Sequence, residues 1–287
     1  ETLEIQAGDH DDLFDVRSTS VSTLVSLFGN SGSDTLNVAG SSQDLDSIDG
    51  SLYFSGGSGD GTDLVVLHDE QDTGNDTYSL YTDPPSSVTK PGFQFNHFGV
   101  EELTLNANSF NNWIVIGGAF ALQTTDYTIN TGDGRDTVTV NASAPMVVTV
   151  NGGAGTPDHV RVFGTAQDDT VTLRSDRVEL GATTVVFGSG IERRSLDTGA
   201  GLDLLIVEGQ QGVNERFVVR SSTVPGSGSV TPTPFAAVTF THLEDVDVRG
   251  NAADRDTLLF HGTNENDSID VNPVAQGTMD SPVVRLG

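Results

Sequence analysis

Apolar and polar residues alternate along most of the chain in short runs, and an acid opens each run. Apolar side chains stand two and four places after Asp34, Asp136, Asp169 and Asp267, as Leu36 and Val38, Val138 and Val140, Val171 and Leu173, and Ile269 and Val271. Alternation over four or five residues, rich in β-branched side chains, is the signature of a half-buried strand. No stretch carries apolar residues at helical spacing. The pattern therefore predicts short strands whose +2 and +4 positions face a core, joined by turns of Gly, Asp and Asn.

The runs recur. Asp12, Asp63, Asp76, Asp158, Asp203 and Asp256 open equivalent phrases, and Asn112 and Glu215 hold the same place. The series Asp12, Asp63, Asn112, Asp158, Asp203 and Asp256 advances by nearly even steps of about 49 residues. A second anchor follows each of these six, as Asp34, Asp76, Asp136, Asp169, Glu215 and Asp267. It comes either after a short step of about 12 residues or after one about twice as long, which suggests a half-coil and a full coil. A companion phrase, an apolar residue and then Glu, appears in VEELTL, IERRSL and LEDVDV, and the opening ETLEI resembles it. Strand and turn at a fixed period imply stacked coils.

The expected fold is thus all-β: a parallel β-solenoid of double coils, each about 49 residues long, forming one repeat body over residues 1–287. The Gly/Pro/Ser-rich stretches near 82–92 and 222–234 are expected as loops projecting from that body. The alternative is a tandem of antiparallel β-sandwich domains, because Glu1, Glu101 and Glu192 are spaced by about 100 residues, the size of one such domain. The half-size steps favour the solenoid. Both ends of the chain read as strand, which predicts that the chain continues or that copies stack end to end.

Composition adds charge. Asp and Glu number 41 against 13 Lys and Arg, for a formal charge of -28. That balance opposes nucleic acid and anionic membranes and favours cations or basic partners. No apolar run is long enough to span a bilayer. With no cysteine, disulfides and thiolate metal sites are excluded.

Stacking would place anchor carboxylates about 5 Å apart, at a cost of about 0.9 kcal/mol per neighbouring pair in water. Two things can offset this: each Asp can accept backbone N–H groups of its turn, or a hard cation with oxygen ligands can sit between acids. The densest acidic stretch runs from Gly57 to Asp76, with Asp60, Asp63, Asp69, Asp72 and Asp76; Asp133 with Asp136, and Asp203, are further candidates for calcium.

The turns Gly59-Asp60-Gly61-Thr62-Asp63, Gly132-Asp133-Gly134-Arg135-Asp136 and Gly199-Ala200-Gly201-Leu202-Asp203 resemble the calcium-binding repeat of RTX proteins. The longer repeat resembles the arrays of giant bacterial surface and secreted proteins, of planctomycete or adhesin type. These resemblances imply an extracellular or cell-surface location and a scaffold, stalk, adhesive or fibre role, with Ca2+ as cofactor.

Catalytic signatures do not emerge. The six histidines form no HxH or HExxH pair, and no GxSxG elbow occurs. The expectation is a non-catalytic structural repeat protein that self-associates end to end or laterally. A carbohydrate-binding adhesin module and a β-helix polysaccharide lyase or hydrolase are the alternatives. Six apolar residues fall at outward positions of their runs: Leu64 and Val66, Trp113 and Val115, and Leu204 and Ile206. They are candidate contacts with a second protomer, and Trp113, the only tryptophan, with a glycan.

Overall fold

A computed structural model describes residues 1–57, 61–83, 85–118, 124–142, 144–155, 157–250 and 255–262, and the backbone of 283–285. The chain visits two sheets, A and B, in turn. β1 (Thr2–Gln6) lies in A and β2 (Leu13–Val16) in B. β3 (Leu24–Phe28) pairs parallel with β1, and β4 (Thr35–Val38) with β2. β5 (Ser51–Ser55) and β6 (Leu64–His68) complete a third coil. The first four strands begin at the evenly spaced Thr2, Leu13, Leu24 and Thr35. A full coil therefore takes about 22 residues here, within the range of solenoid repeats.

Three antiparallel meanders interrupt the winding. β7 (Thr77–Tyr81), β8 (Ser86–Lys90) and β9 (Phe93–Phe98) all belong to sheet A, where β9 lands beside β5. Winding resumes through β10 (Glu102–Asn106), β11 (Trp113–Ile116), β12 (Asp126–Asn130), β13 (Thr137–Asn141), β14 (Met146–Asn151) and β15 (His159–Phe163). The second meander, β16 (Thr170–Leu173), β17 (Arg177–Leu180) and β18 (Thr183–Phe187), lies in sheet B. After β19 (Arg193–Asp197) and β20 (Leu204–Glu208), a third returns to A as β21 (Arg216–Ser221), β22 (Gly228–Thr233) and β23 (Val238–Thr241). β24 (Asp245–Arg249), β25 (Thr257–His261) and β26 (Val283–Arg285) follow.

The order in sheet A is β1-β3-β5-β9-β8-β7-β11-β13-β15-β19-β23-β22-β21-β25, and in sheet B β2-β4-β6-β10-β12-β14-β18-β17-β16-β20-β24-β26. The fold is a parallel β-solenoid, as the repeat predicts. A plain visit adds one strand to a sheet and a meander adds three, so each meander puts its sheet two strands ahead. The meanders alternate A, B, A, and through β18 both sheets hold the same number of strands. Facing sheets must stay matched in height to cover each other's apolar face, and the alternation does this.

The stretches near 82–92 and 222–234 are not projecting loops. They contain β8 and β22, the middle strands of two meanders. Their Gly, Pro and Ser content belongs to the reversals at either end, and β22 carries Pro232 in an antiparallel pair with Phe217. Nor do the long intervals of the repeat mark one uniform unit, since some enclose a meander and others do not.

Inward side chains stack in register along the solenoid. Leu36, Val65, Leu103, Tyr127, Val148 and Val185 form one such column in sheet B. The +2 and +4 residues Leu36, Val38, Val138, Val140, Val171 and Leu173 are all buried; Asp267, Ile269 and Val271 lie outside the described residues.

Some core positions are polar, His97 among them. His97 in β9 is 1 % exposed and stacks on Phe95 with ring centroids 5.5 Å apart. Neither ring nitrogen has a hydrogen-bond partner among the described residues, and burial pushes its pKa down to about 4. The unfolded chain takes up a proton near pH 6.5 and the folded one does not, so stability is lost as pH falls from about 6.5 toward 4. His97→Leu should therefore raise the melting temperature more at pH 5 than at pH 8, measured by circular dichroism.

Candidate functional site

The anchor acids are consumed by the backbone. At a turn, the N–H just before a strand has no partner in the sheet and must find one elsewhere. Here the partner is the anchor side chain of the next coil. Asp12 N–H donates to Asp34 Oδ1 (2.9 Å), Asp34 N–H to Asp63 Oδ1 (2.7 Å) and Asp63 N–H to Glu101 Oε2 (2.8 Å). A second column runs from Asp76 N–H to Asn112 Oδ1 (3.1 Å), Asn112 N–H to Asp136 Oδ1 (2.6 Å), Asp136 N–H to Asp158 Oδ1 (2.8 Å) and Asp158 N–H to Glu192 Oε2 (2.9 Å). Asp169, Asp203 and Glu244 form a third, and Glu215 with Asp256 begins a fourth.

The residue before each anchor builds a neighbouring column of opposite polarity. Ser33 N–H donates back to Asp11 Oδ1 and Thr62 N–H to Ser33 Oγ. Asn111 N–H likewise donates to Asn75 Oδ1, and Arg135 N–H to Asn111 Oδ1. Glycine opens the turn because the carboxylate needs the room: a Cβ on Gly29 would lie 2.0 Å from Asp34 Oδ2, and one on Gly56 2.2 Å from Asp63 Oδ2. In the Gly199-x-Gly201 turn both glycines have positive φ, +93° and +148°, which L-residues rarely adopt.

Each completed column ends on the Glu of the companion phrase. Glu101, Glu192 and Glu244 precede β10, β19 and β24, the strands that follow each meander's return. Only 99–101 separate β9 from β10, and only 242–244 separate β23 from β24. Val100, Ile191 and Leu243 are buried just before these glutamates, and the longer Glu side chain reaches the neighbouring N–H.

Of the calcium candidates, Asp60 lies outside the described residues. Asp63, Asp136 and Asp203 occupy the columns, and exposed Asp133 accepts the Ala154 N–H. Only Asp69, Asp72 and Asp76 converge. They form one group able to hold a metal ion, and Asp44, Asp46 and Asp72 form another, with ligand atoms within 4.8 Å of one another in each. The chain's only lysine reaches into both. Lys90 Nζ lies 2.6 Å from Asp72 Oδ2, 2.8 Å from Asp69 Oδ2, 3.1 Å from Asp46 Oδ1 and 3.7 Å from Asp76 Oδ2. The Tyr78 hydroxyl and the Leu45 N–H donate to Asp69, and Asn108 Nδ2 donates to Asp76. Burial alone would lower the Lys90 pKa, but hydrogen bonds to Asp69 and Asp72 outweigh it and hold the ammonium charged. Burial and then the hydrogen bond with Asp72 push Asp76 up to about 6.

Lys90 carries no signal in the sequence, because its partners, from Asp46 to Asp76, belong to other strands and turns. An asparagine ladder is a further feature that the acid repeat does not announce: Asn130 Nδ2 donates to Asn106 Oδ1 (2.7 Å) and Asn151 Nδ2 to Asn130 Oδ1 (2.8 Å). Its signal is in view all the same, since LTLN, YTIN and VTVN each close a strand with Asn.

The outward apolar residues separate into different surroundings. Leu204 and Ile206 lie in sheet B in register with Asp245 and Asp247, and Ile206 is buried. Val115 is half-buried between Ser79 and Thr139. Trp113 is 53 % exposed. The site and fold together define a β-solenoid whose turn acids serve its own backbone. Comparison with known proteins finds no matching family model and no matching curated protein.

The buried acids make stability depend on pH. Asp136 is 1 % exposed, and burial pushes its pKa up to about 7. A folded pKa above the unfolded value makes a contribution that is complete below about pH 4 and lost as pH rises through about 7. The wild-type melting temperature should fall between pH 6 and pH 8. Asp136→Asn, which keeps an acceptor for the Asn112 N–H, should flatten that fall. Lys90→Met leaves its carboxylates without a cation and should cost about 3–5 kcal/mol in urea unfolding at pH 7.5, and less at pH 5, where the acids can take up protons.

Proposed function

We propose that this chain is a non-catalytic structural repeat protein of the cell exterior: a surface scaffold, stalk or fibre-forming unit. The observation that supports this most is the commitment of the anchor acids. Carboxylates that a lyase or hydrolase would need in a cleft instead accept backbone N–H groups or surround Lys90. The extracellular location rests on the resemblance to surface arrays. Among the described residues no helix is long and apolar enough to cross a membrane.

End-to-end association is part of the reading. β1 and β2 form the edges of the two sheets, and Leu3, Ile5 and Leu13 are exposed there at 47, 42 and 70 %. A strand edge bearing apolar side chains is a template for another coil of the same kind. Negative-stain imaging and light scattering should show rods that lengthen with protein concentration, and Leu13→Lys with Ile5→Lys should disperse them. Wild-type particles that stay single at every concentration would remove the stacking.

Calcium is a second reading, carried by the two three-carboxylate groups. Lys90 already lies among the same oxygens, so an ion would have to displace it or use Asp44 and the outer face of Asp46. A thermal melt with calcium and with chelator decides between them. The same midpoint in both leaves the ammonium as the cation of this turn, which is the expected result; a rise with calcium restores the metal.

A further inference from the structure

The outer face of sheet A carries a feature that the columns and the core do not require. Thr77, Trp113, Thr137, His159 and Arg193 stand in register across β7, β11, β13, β15 and β19. Small threonines flank Trp113 on both sides and leave its indole open. Exposed Phe110 sits in the turn just before it. A groove of about 420 Å³ runs past the indole, lined by Asn75, Asp76, Asn111, Asn112, Thr137 and Arg161.

This face is also where positive charge gathers in a chain of net charge -28. Burial pushes the pKa of His159 down to about 4, and Arg193, Arg161 and Arg135 add to it in that order. Those three arginines make no ion pair among the described residues, a property they share with Arg194, Arg216, Arg220 and Arg255, whereas Arg17, Arg174, Arg177, Arg249 and Lys90 all pair with acids. Arg161 lies over the Phe163 ring, 5.0 Å from its centroid, which braces the side chain without neutralising it. Guanidinium groups without a carboxylate, beside an uncovered indole, add nothing to the coil.

We propose that the groove from Trp113 to Arg161 binds a short acidic oligosaccharide. An exposed indole offers a flat apolar surface to the C–H face of a pyranose ring. The Asn75 and Asn111 amide N–H groups, whose oxygens accept from the turn backbone, and the Thr137 hydroxyl offer polar groups to ring hydroxyls. Arg161, with Arg135 and Arg193 close by, provides planar donors that suit a carboxylate or sulfate. Asp76 at the other end of the groove favours a neutral edge there, so the acidic substituent points toward the arginines. The acidic remainder of the surface repels long polyanions and limits the ligand to a few rings. The site stands apart from end-to-end stacking, because it lies on the side of the solenoid.

Trp113 is the only tryptophan, so its emission reports on the groove directly. Wild-type protein is titrated with tetragalacturonate, with cellotetraose and with a short oligothymidylate. The expected result is a saturable change in emission with tetragalacturonate alone, weakened at raised salt and by about 10-fold in affinity in Arg161→Gln. Circular dichroism should show that this variant stays folded. Calorimetry on Trp113→Ala, which emission cannot follow, should show binding lost at an unchanged melting temperature. No emission change up to millimolar tetragalacturonate would overturn the proposal. So would an equal response to cellotetraose, which would mean that the arginines read nothing, or to oligothymidylate, which would make the face a general anion site.

Discussion

Everything in this fold depends on the hydrogen bond between the backbone N–H of one anchor and the side-chain oxygen of the next. A solenoid turn leaves that N–H outside both sheets, and an unpaired buried donor costs roughly 1–3 kcal/mol. Repeated at every coil, the omission would exceed the stability of an ordinary domain. An acid at the anchor satisfies the donor with a charge-assisted bond. The glycine that opens the turn follows from the acid, because the second carboxylate oxygen occupies the space of a Cβ. The acid surplus is therefore partly structural: a like-charge column is tolerated because each charge has a donor across the coil, and burial drives some members toward the protonated form.

That bond also constrains where the chain can depart from simple winding. A meander moves the chain several strands along one sheet, so the next anchor cannot lie above the last. The column stops, and a new one starts on the other side of the solenoid. Asp12, Asp34 and Asp63 precede strands of sheet B, whereas Asp76, Asn112, Asp136 and Asp158 precede strands of sheet A. Asp169 and Asp203 return to B, and Glu215 and Asp256 to A. A glutamate closes each completed column where the winding resumes. Lys90 pins the first of these transitions. Asp46 comes from the coil below, Asp69, Asp72 and Asp76 from the crossover into the meander, and Lys90 from its middle strand.

Much of this was legible in the residues. The half-coil step and the inward +2 and +4 positions are local properties of a repeated phrase, and repetition averages out accidents of composition; the acids, expected to cap their own turns, instead accept the N–H of the anchor one coil earlier. The meanders were hidden because β8 and β22 are flanked by Gly, Pro and Ser, residues that serve strand reversals as well as loops. Their trace was present in the spacing. The short steps from Asp63 to Asp76, Asp158 to Asp169 and Asp203 to Glu215 each fall where a column changes side and a meander begins. The long steps, from Asp12 to Asp34 and from Asn112 to Asp136, stay within one column. The Lys90 cluster had no comparable trace, since its geometry exists only once non-adjacent coils are stacked.

A solenoid divides its positions strictly. Inward residues are bound by packing, and anchors by the backbone they satisfy. Outward residues are free of both, so an outward residue that departs from the small polar pattern needs its own explanation. Leu204 and Ile206 have one within the molecule. They lie in register with Asp245 and Asp247, beside a chain of ion pairs from Arg174 through Glu208 to Arg249, and Ile206 is buried. Trp113 has none: threonines flank it in register, a groove runs beside it, and the nearby arginines make no ion pair among the described residues. In a protein whose acids are occupied with holding it together, the proposed glycan site uses the face where aromatic and basic side chains are left over.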